Sequence, residues 1–218
     1  MDKRFRIAGI SAAIIFAIAI WLSPSNPPPI PEPMTNDGNE FVQVLATNLE
    51  KPWAIDFAND KIFVTEKVGR IRVIESGVLL ENPLATLRTA NVFDGGLLGI
   101  AVHPAFDKNH FIYIYYTYEK DGTLWNKILR ITESDNKLDA AKTIFDNMPG
   151  SVYNNGGIIK FGPDGKLYVG TGSVSDSSHG SQDIESLEGK ILRLNDDGTI
   201  PDDNPFSDSP VFSFGHMN

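Results

Sequence analysis

The residues of this chain that could do chemistry sit beside glycines. Asn154 lies in Tyr153-Asn154-Asn155-Gly156-Gly157, Asp94 precedes Gly95-Gly96, and His216 and Asn218 flank Met217 after Gly215. An amide such as Asn154 can hydrogen-bond a hydroxyl group but cannot accept a proton at neutral pH. Each residue also has a plainer reading. Asn154 and Asp94 suit turns next to glycines, His216 suits a packing role, and Asn218 suits a frayed terminal residue.

Other constellations are weaker. Gly170-Thr171-Gly172 follows a strand pattern, yet no Gly-x-x-x-x-Gly-Lys is present and no helix opens there, so it reads as a β-turn. Asp196-Asp197-Gly198 and Asp202-Asp203-Asn204 are acidic but lack the spaced ligands and final Glu of a calcium loop, so they read as solvated turns. Ser175-Asp176-Ser177-Ser178-His179 brings Ser, Asp and His close in sequence without a nucleophile elbow, and reads as a connecting loop. His103, before Pro104, reads as structural.

The elements that must position these residues repeat. Apolar strands beginning near Trp53, Leu98 and Gly157 are each followed by a strand rich in aromatic and β-branched residues. These are Ile62–Thr65, Phe111–Tyr116 and Leu167–Val169. A third strand then alternates charged and aliphatic residues: Arg70–Ile74, Lys127–Ile131 and Lys190–Leu194. Val211–Phe214 reads as a further strand, and turns fall at Asn59-Asp60, Gly69, Asp107–Asn109 and Asp164-Gly165. Three- or four-stranded units at this spacing predict an all-β chain, a β-propeller with about three to four blades of an incomplete ring. Phe41–Leu45 reads as a further strand, and Asp139–Asp146 as a short helix.

Residues 1–23 differ in kind. Lys3, Arg4 and Arg6 precede the apolar run Ile7–Leu22, the pattern of a signal peptide or membrane anchor, with the uncleaved anchor favoured. The expectation is an N-terminal hydrophobic helix and an exported, membrane-tethered domain. Residues 24–40 form a proline-rich linker, and 41–218 the partial propeller. With 19 basic against 28 acidic residues and a net charge of −9, a nucleic-acid partner is not expected. The absence of cysteine excludes disulfides and thiolate metal sites.

Five segments, taken in order, resemble the PQQ-dependent soluble glucose dehydrogenase and aldose sugar dehydrogenase (glucose/sorbosone dehydrogenase) family. They are Leu49–Ala54, Gly95-Gly96-Leu97-Leu98-Gly99 through Pro104, Gly156–Val169, Gln182–Leu194, and Asp202–Phe206. The resemblance implies a six-bladed propeller that oxidises the C1 hydroxyl of an aldose sugar to a lactone. Electrons would pass through pyrroloquinoline quinone (PQQ) to an external acceptor, with calcium polarising the quinone. It also implies site residues. Asn154 falls where the family carries its general-base histidine. Asp94 falls at a polar cofactor contact, and Met217 and Asn218 stand for the Arg and Asn of the family's Gly-His-Arg-Asn. No metal ligand is assigned within the chain, calcium ligands being expected beyond residue 218. The replacements at Asn154 and Met217 favour an alternative, a non-catalytic exported propeller that binds carbohydrate or a protein partner.

Overall fold

A computed structural model describes residues 43–174 and 179–217. The hydrophobic N-terminal segment, the proline-rich linker, the Ser175–Ser178 loop and Asn218 lie outside the described residues, as do Phe41 and Val42.

The chain folds into three antiparallel sheets. In the first, β1 (Pro52–Ala58), β2 (Lys61–Glu66), β3 (Arg70–Glu75) and β4 (Val78–Leu79) pair in chain order, and β5 (Ala85–Thr86) pairs with β3. The second holds β6 (Leu97–Val102), β7 (Phe111–Lys120), β8 (Thr123–Ser134) and β9 (Lys137–Pro149). The third holds β10 (Gly156–Phe161), β11 (Leu167–Thr171), β12 (Lys190–Leu194) and β13 (Val211–Phe214). Two single helical turns, α1 (Phe106–Asn109) and α2 (His179–Gln182), interrupt the loops. All neighbours in the sheets are consecutive strands apart from β5, so local hairpins account for nearly all of the pairing. The β8–β9 connection is a two-residue turn, Asp135-Asn136, with φ of 49° and 60°. Asp and Asn tolerate that left-handed backbone, which matches the twist of a hairpin.

Strand period explains the stacking. A strand shows alternate side chains to opposite faces, and the second sheet is apolar on both. Leu97 and Ile100 of β6, Ile112 and Ile114 of β7, and Leu129 and Ile131 of β8 join Phe63, Ile71 and Val73 of the first sheet in one buried cluster. Leu98 and Ala101, Tyr113 and Tyr115, and Ile128 join Ile159, Leu167, Val169, Leu192, Leu194 and Val211 of the third sheet in another. The first strands carry much of the contact between sheets: β6 touches both β1 and β10.

The approach of β6 to β10 is set by two glycines. A Cβ at Gly99 would meet the Gly157 carbonyl oxygen at 2.0 Å, and one at Gly157 would meet Leu98 and the Tyr115 ring at 2.9–3.0 Å. Gly157 also has φ of 101°, where side chains are strained. The Gly-Gly-Leu-Leu-Gly and Asn-Asn-Gly-Gly segments therefore meet because neither carries a Cβ at the crossing.

Three local expectations are corrected. Asp139–Asp146 is part of β9, not a helix. Its first residues pair with β8 as an exposed outer strand, so pairing overrides the helical leaning of Ala and Lys. Gln43–Leu45 has no strand assignment, there being no partner strand for it among the described residues. Gly170 and Thr171 extend β11, where Gly170 pairs with Ile191 and Thr171 with Gly156, in place of a turn.

Candidate functional site

Where the three first strands approach one another lies an open cavity of about 670 Å³. Trp53 and Ala54 line it from β1, Gly99 from β6, and Gly156, Gly157, Ile158 and Ile159 from β10. Asp94, Asn154 and Asn155 come from the loops that lead into β6 and β10. The walls are mainly apolar and backbone, with a few polar groups at one edge, the usual make-up of a small-molecule site.

The polar edge is held by the loops themselves. Asn154 N–H donates to Asp94 Oδ2 at 3.0 Å, and Asp94 N–H donates to the Val152 carbonyl at 2.8 Å. These two bonds clamp together segments 60 residues apart. Asn154 has φ of 57°, a backbone that Asn and His both adopt more readily than most residues. Its side chain is exposed while Asn155 beside it is buried.

Asn155 anchors the loop. Its Oδ1 accepts from Ser151 N–H at 3.0 Å and Asn126 Nδ2 at 3.1 Å, and its Nδ2 donates to the Ser151 carbonyl at 2.7 Å. The buried Tyr115 hydroxyl donates to the Asn155 carbonyl at 3.0 Å. Burial drives the Tyr115 phenol well above its ordinary pKa, so it stays a neutral donor. Asn126 itself accepts from Thr117 Oγ1 at 2.7 Å and donates to the Pro149 carbonyl at 2.7 Å. A fully satisfied network of this kind fixes one loop geometry.

Behind the wall stands Lys67. Its Nζ lies 4.8 Å from the Trp53 ring centroid and donates to the Phe93 carbonyl at 2.6 Å. Burial lowers its pKa, while the Asp94 carboxylate works in the opposite direction.

The structure brings two of the sequence-derived site residues together, Asp94 and Asn154. Met217 is 76% exposed and does not line the cavity, and Asn218 lies outside the described residues. His103 is packed among Phe111, Tyr113 and Phe161, as its structural reading expects. Arg193 ties the acidic turn to the turn between β10 and β11 by bonding Asp203 at 2.7 Å and Asp164 at 2.9 Å. Among the described residues, no group of three or more His, Asp or Glu is placed to hold a metal ion. No described helix is long and apolar enough to cross a membrane.

Sequence reasoning missed Trp53, Lys67 and Asn155 as contributors. Trp53 was visible as the start of a repeated strand, and its alternation with Ala54 could have marked it as a face residue. Nothing local singles out Lys67.

An all-β chain of three antiparallel sheets with a cavity at their first strands is the class that the fold and site define. Residues 49–218 match the model of the Glucose / Sorbosone dehydrogenase family, and the chain belongs to that family. It is 30% identical over 190 residues to aldose sugar dehydrogenase YliI of Escherichia coli (strain K12), covering 81% of this chain and 51% of that protein. It is 31% identical over 210 residues to quinoprotein glucose dehydrogenase B of Acinetobacter calcoaceticus, covering 81% of this chain and 44% of that protein. The solved PQQ-bound form of aldose sugar dehydrogenase from Streptomyces coelicolor superimposes with a TM-score of 0.73 at 36% identity, over 81% of this chain and 54% of that one. The chain thus spans about half the length of the curated relatives it matches.

Proposed function

We propose that this chain forms the sugar-facing part of the site of a PQQ-type aldose sugar dehydrogenase, on three blades of a six-bladed propeller. The observation that carries this reading is the meeting of Asp94 and Asn154 at the edge of the cavity. A carboxylate and the exposed Asn154 amide beside a half-exposed tryptophan suit a pyranose, whose hydroxyls need hydrogen-bond partners and whose C–H face needs an apolar wall.

When bound, PQQ would supply the oxidant for an aldose. Its carboxylates call for cations, and the cavity-lining residues offer one carboxylate and no cation. Lys67 is already committed to the Phe93 carbonyl and the Trp53 ring. By themselves, the cavity-lining residues do not fit the quinone's charge. The cationic complement, and the calcium site, we assign to parts of the full-length relatives that this chain does not match.

What the chain's own residues do follows from their chemistry. Asn154 can donate to or accept from a sugar hydroxyl but cannot take its proton at neutral pH. Asp94 offers a carboxylate, with one oxygen already bonded to Asn154 N–H. Ile158 and Ile159 close the apolar side. This arrangement binds and orients a sugar better than it deprotonates one, which favours the second reading, a carbohydrate-binding propeller without turnover. Export and membrane tethering through residues 1–40 belong to the same proposal, with an external electron acceptor as the partner of any turnover.

Dye reduction tests it, with an aldose, PQQ and calcium added to the whole chain. The wild-type protein should turn over slowly or not at all. Asn154→His restores a base on a backbone that accepts histidine, and a general base contributes about 10²–10⁴-fold. Asn154→His together with Met217→Arg should therefore exceed the wild type. Binding of sugar with no gain in either variant supports the binding module, and no sugar binding at all overturns both readings.

A further inference from the structure

Strand register makes the three sheets equivalent position by position. Between the first and second strands of each sheet, Ile55 pairs with Val64, Ile100 with Ile114 and Ile159 with Val169. The adjacent pairs are Asp56 with Phe63, Ala101 with Tyr113 and Lys160 with Tyr168. Paired residues share a face and successive pairs alternate. Each sheet therefore has an isoleucine face, with a β-branched residue opposite, and an aromatic face, with Phe or Tyr on its second strand.

The two contacts between sheets have the same polarity. The aromatic face of one sheet packs on the isoleucine face of the next. Phe63 shares a buried cluster with Ile100 and Ile114, and Tyr113 shares the other with Ile159 and Val169. This stacking leaves one face of each kind without a partner sheet among the described residues. On the first sheet it is the isoleucine face. Ile55 is 48% exposed there and Phe57 61%, whereas Ile100 and Ile159, at the position of Ile55, are each 1% exposed. On the third sheet it is the aromatic face. Ile158 is 70% exposed and Phe212 41%, and the Tyr168 ring stands edge-on to Phe212 at 5.4 Å. Apolar side chains left in water at positions that the same stacking buries in the neighbouring sheets mark a contact surface.

The two open faces are of opposite kind, so each matches the other on a second copy of the chain. One further stacking step continues the established contacts and sets the third sheet of one copy on the first sheet of another. A head-to-tail contact of this sort closes only when the rotation per copy divides the circle. The three sheets superimpose on a relative of which the chain covers 54%, so each copy supplies about half a turn. We propose that two copies of this chain close one six-bladed ring about a two-fold axis, the third sheet of each docking on the first sheet of the other. This rests on the propeller reading and is independent of what the cavity binds.

Sedimentation equilibrium of the whole chain in density-matched detergent tests it. The expected mass is twice the 24.0 kDa of one chain. A monomer overturns the proposal, and so does a ladder of growing masses, the mark of a contact that does not close. Phe57→Asp and Phe212→Lys each put a charge on one apolar face, and each alone should yield the monomer. Mixing the two variants should restore dimer, because each mixed pair keeps one unaltered contact. Dissociation by Phe57→Asp and not by Phe212→Lys means that like faces meet, and overturns the head-to-tail arrangement. A mixture that stays monomeric does the same. A dimer that neither variant disturbs is held elsewhere, and the proposal fails. Circular dichroism checks that the variants fold, which both exposed positions favour. Glucose binding by a wild-type monomer overturns this proposal alone, and a dimer that binds no sugar overturns only the sugar reading of the cavity.

Discussion

The second sheet is flanked by two seams, and the same three strands serve both with different chemistry. Toward the first sheet the contact is mainly aliphatic and phenyl, with Tyr116 and Tyr118 on the second sheet's side, and its polar edge is charged. Lys61 Nζ bonds Glu133 Oε1 at 3.0 Å across the seam, and Asn136 Nδ2 donates to Glu75 Oε2 at 2.9 Å. Toward the third sheet the contact includes two buried tyrosines whose hydroxyls donate to the carbonyls of Asp196 at 2.8 Å and Asn155 at 3.0 Å. Burial raises both phenols, Tyr113 to about 12, so that seam's tyrosine bonds keep their protonation state at any working pH. The site loop, 150–157, hangs from the seam that carries the tyrosine bonds.

The seams can be told apart by substitution. Leu97 and Leu98 are both fully buried neighbours that point to opposite seams. Leu97→Ala and Leu98→Ala should each cost about 2–5 kcal/mol in denaturant unfolding, the range for a leucine cavity. Only Leu98→Ala should also weaken sugar binding, because it loosens the contact with Gly157. Equal loss of sugar affinity in both would break the distinction. Gly99→Ala should follow at about 1–3 kcal/mol, the usual cost of overpacking, since its methyl would meet the Gly157 carbonyl at 2.0 Å.

Tyr115→Phe should cost less, about 0.5–1.5 kcal/mol for one hydrogen bond. Gly172 N–H still donates to the Asn155 carbonyl at 3.3 Å. Its stability curve should keep the wild-type pH dependence. Glu133→Gln should do the reverse. Burial pushes the Glu133 carboxyl up, but the Asn136 N–H, Lys61 and His110 more than offset this, and its pKa falls below the ordinary value of 4.5. A depressed carboxyl stabilises the fold above its unfolded pKa and loses that contribution as pH falls through the folded value. Glu133→Gln should thus flatten the acid limb of stability below about pH 5. An unchanged acid limb would remove charge from the first seam's account.

Much of this layout was legible in the residues. The repeated units begin within one residue of β1, β6 and β10, because period-two alternation and turn chemistry are local signals. The outer strand β9 was not legible, since its first seven residues are all exposed and carry no apolar period. The pairing of Asp94 with Asn154 was not legible from composition either. It depends on a backbone bond between two loops far apart in sequence, and only family resemblance pointed to both positions. Trp53 became part of the site only once its neighbours across the cavity were known.

The most direct test of the sugar site is an amide NMR titration of the chain with glucose. Shifts confined to residues 53–54, 94–99 and 154–159 and to Lys67 behind them, with 61–64 and 70–75 silent, are the expected result. Perturbations that centre on the Lys61–Glu133 seam, or none at saturating sugar, would contradict a sugar site where the three first strands meet.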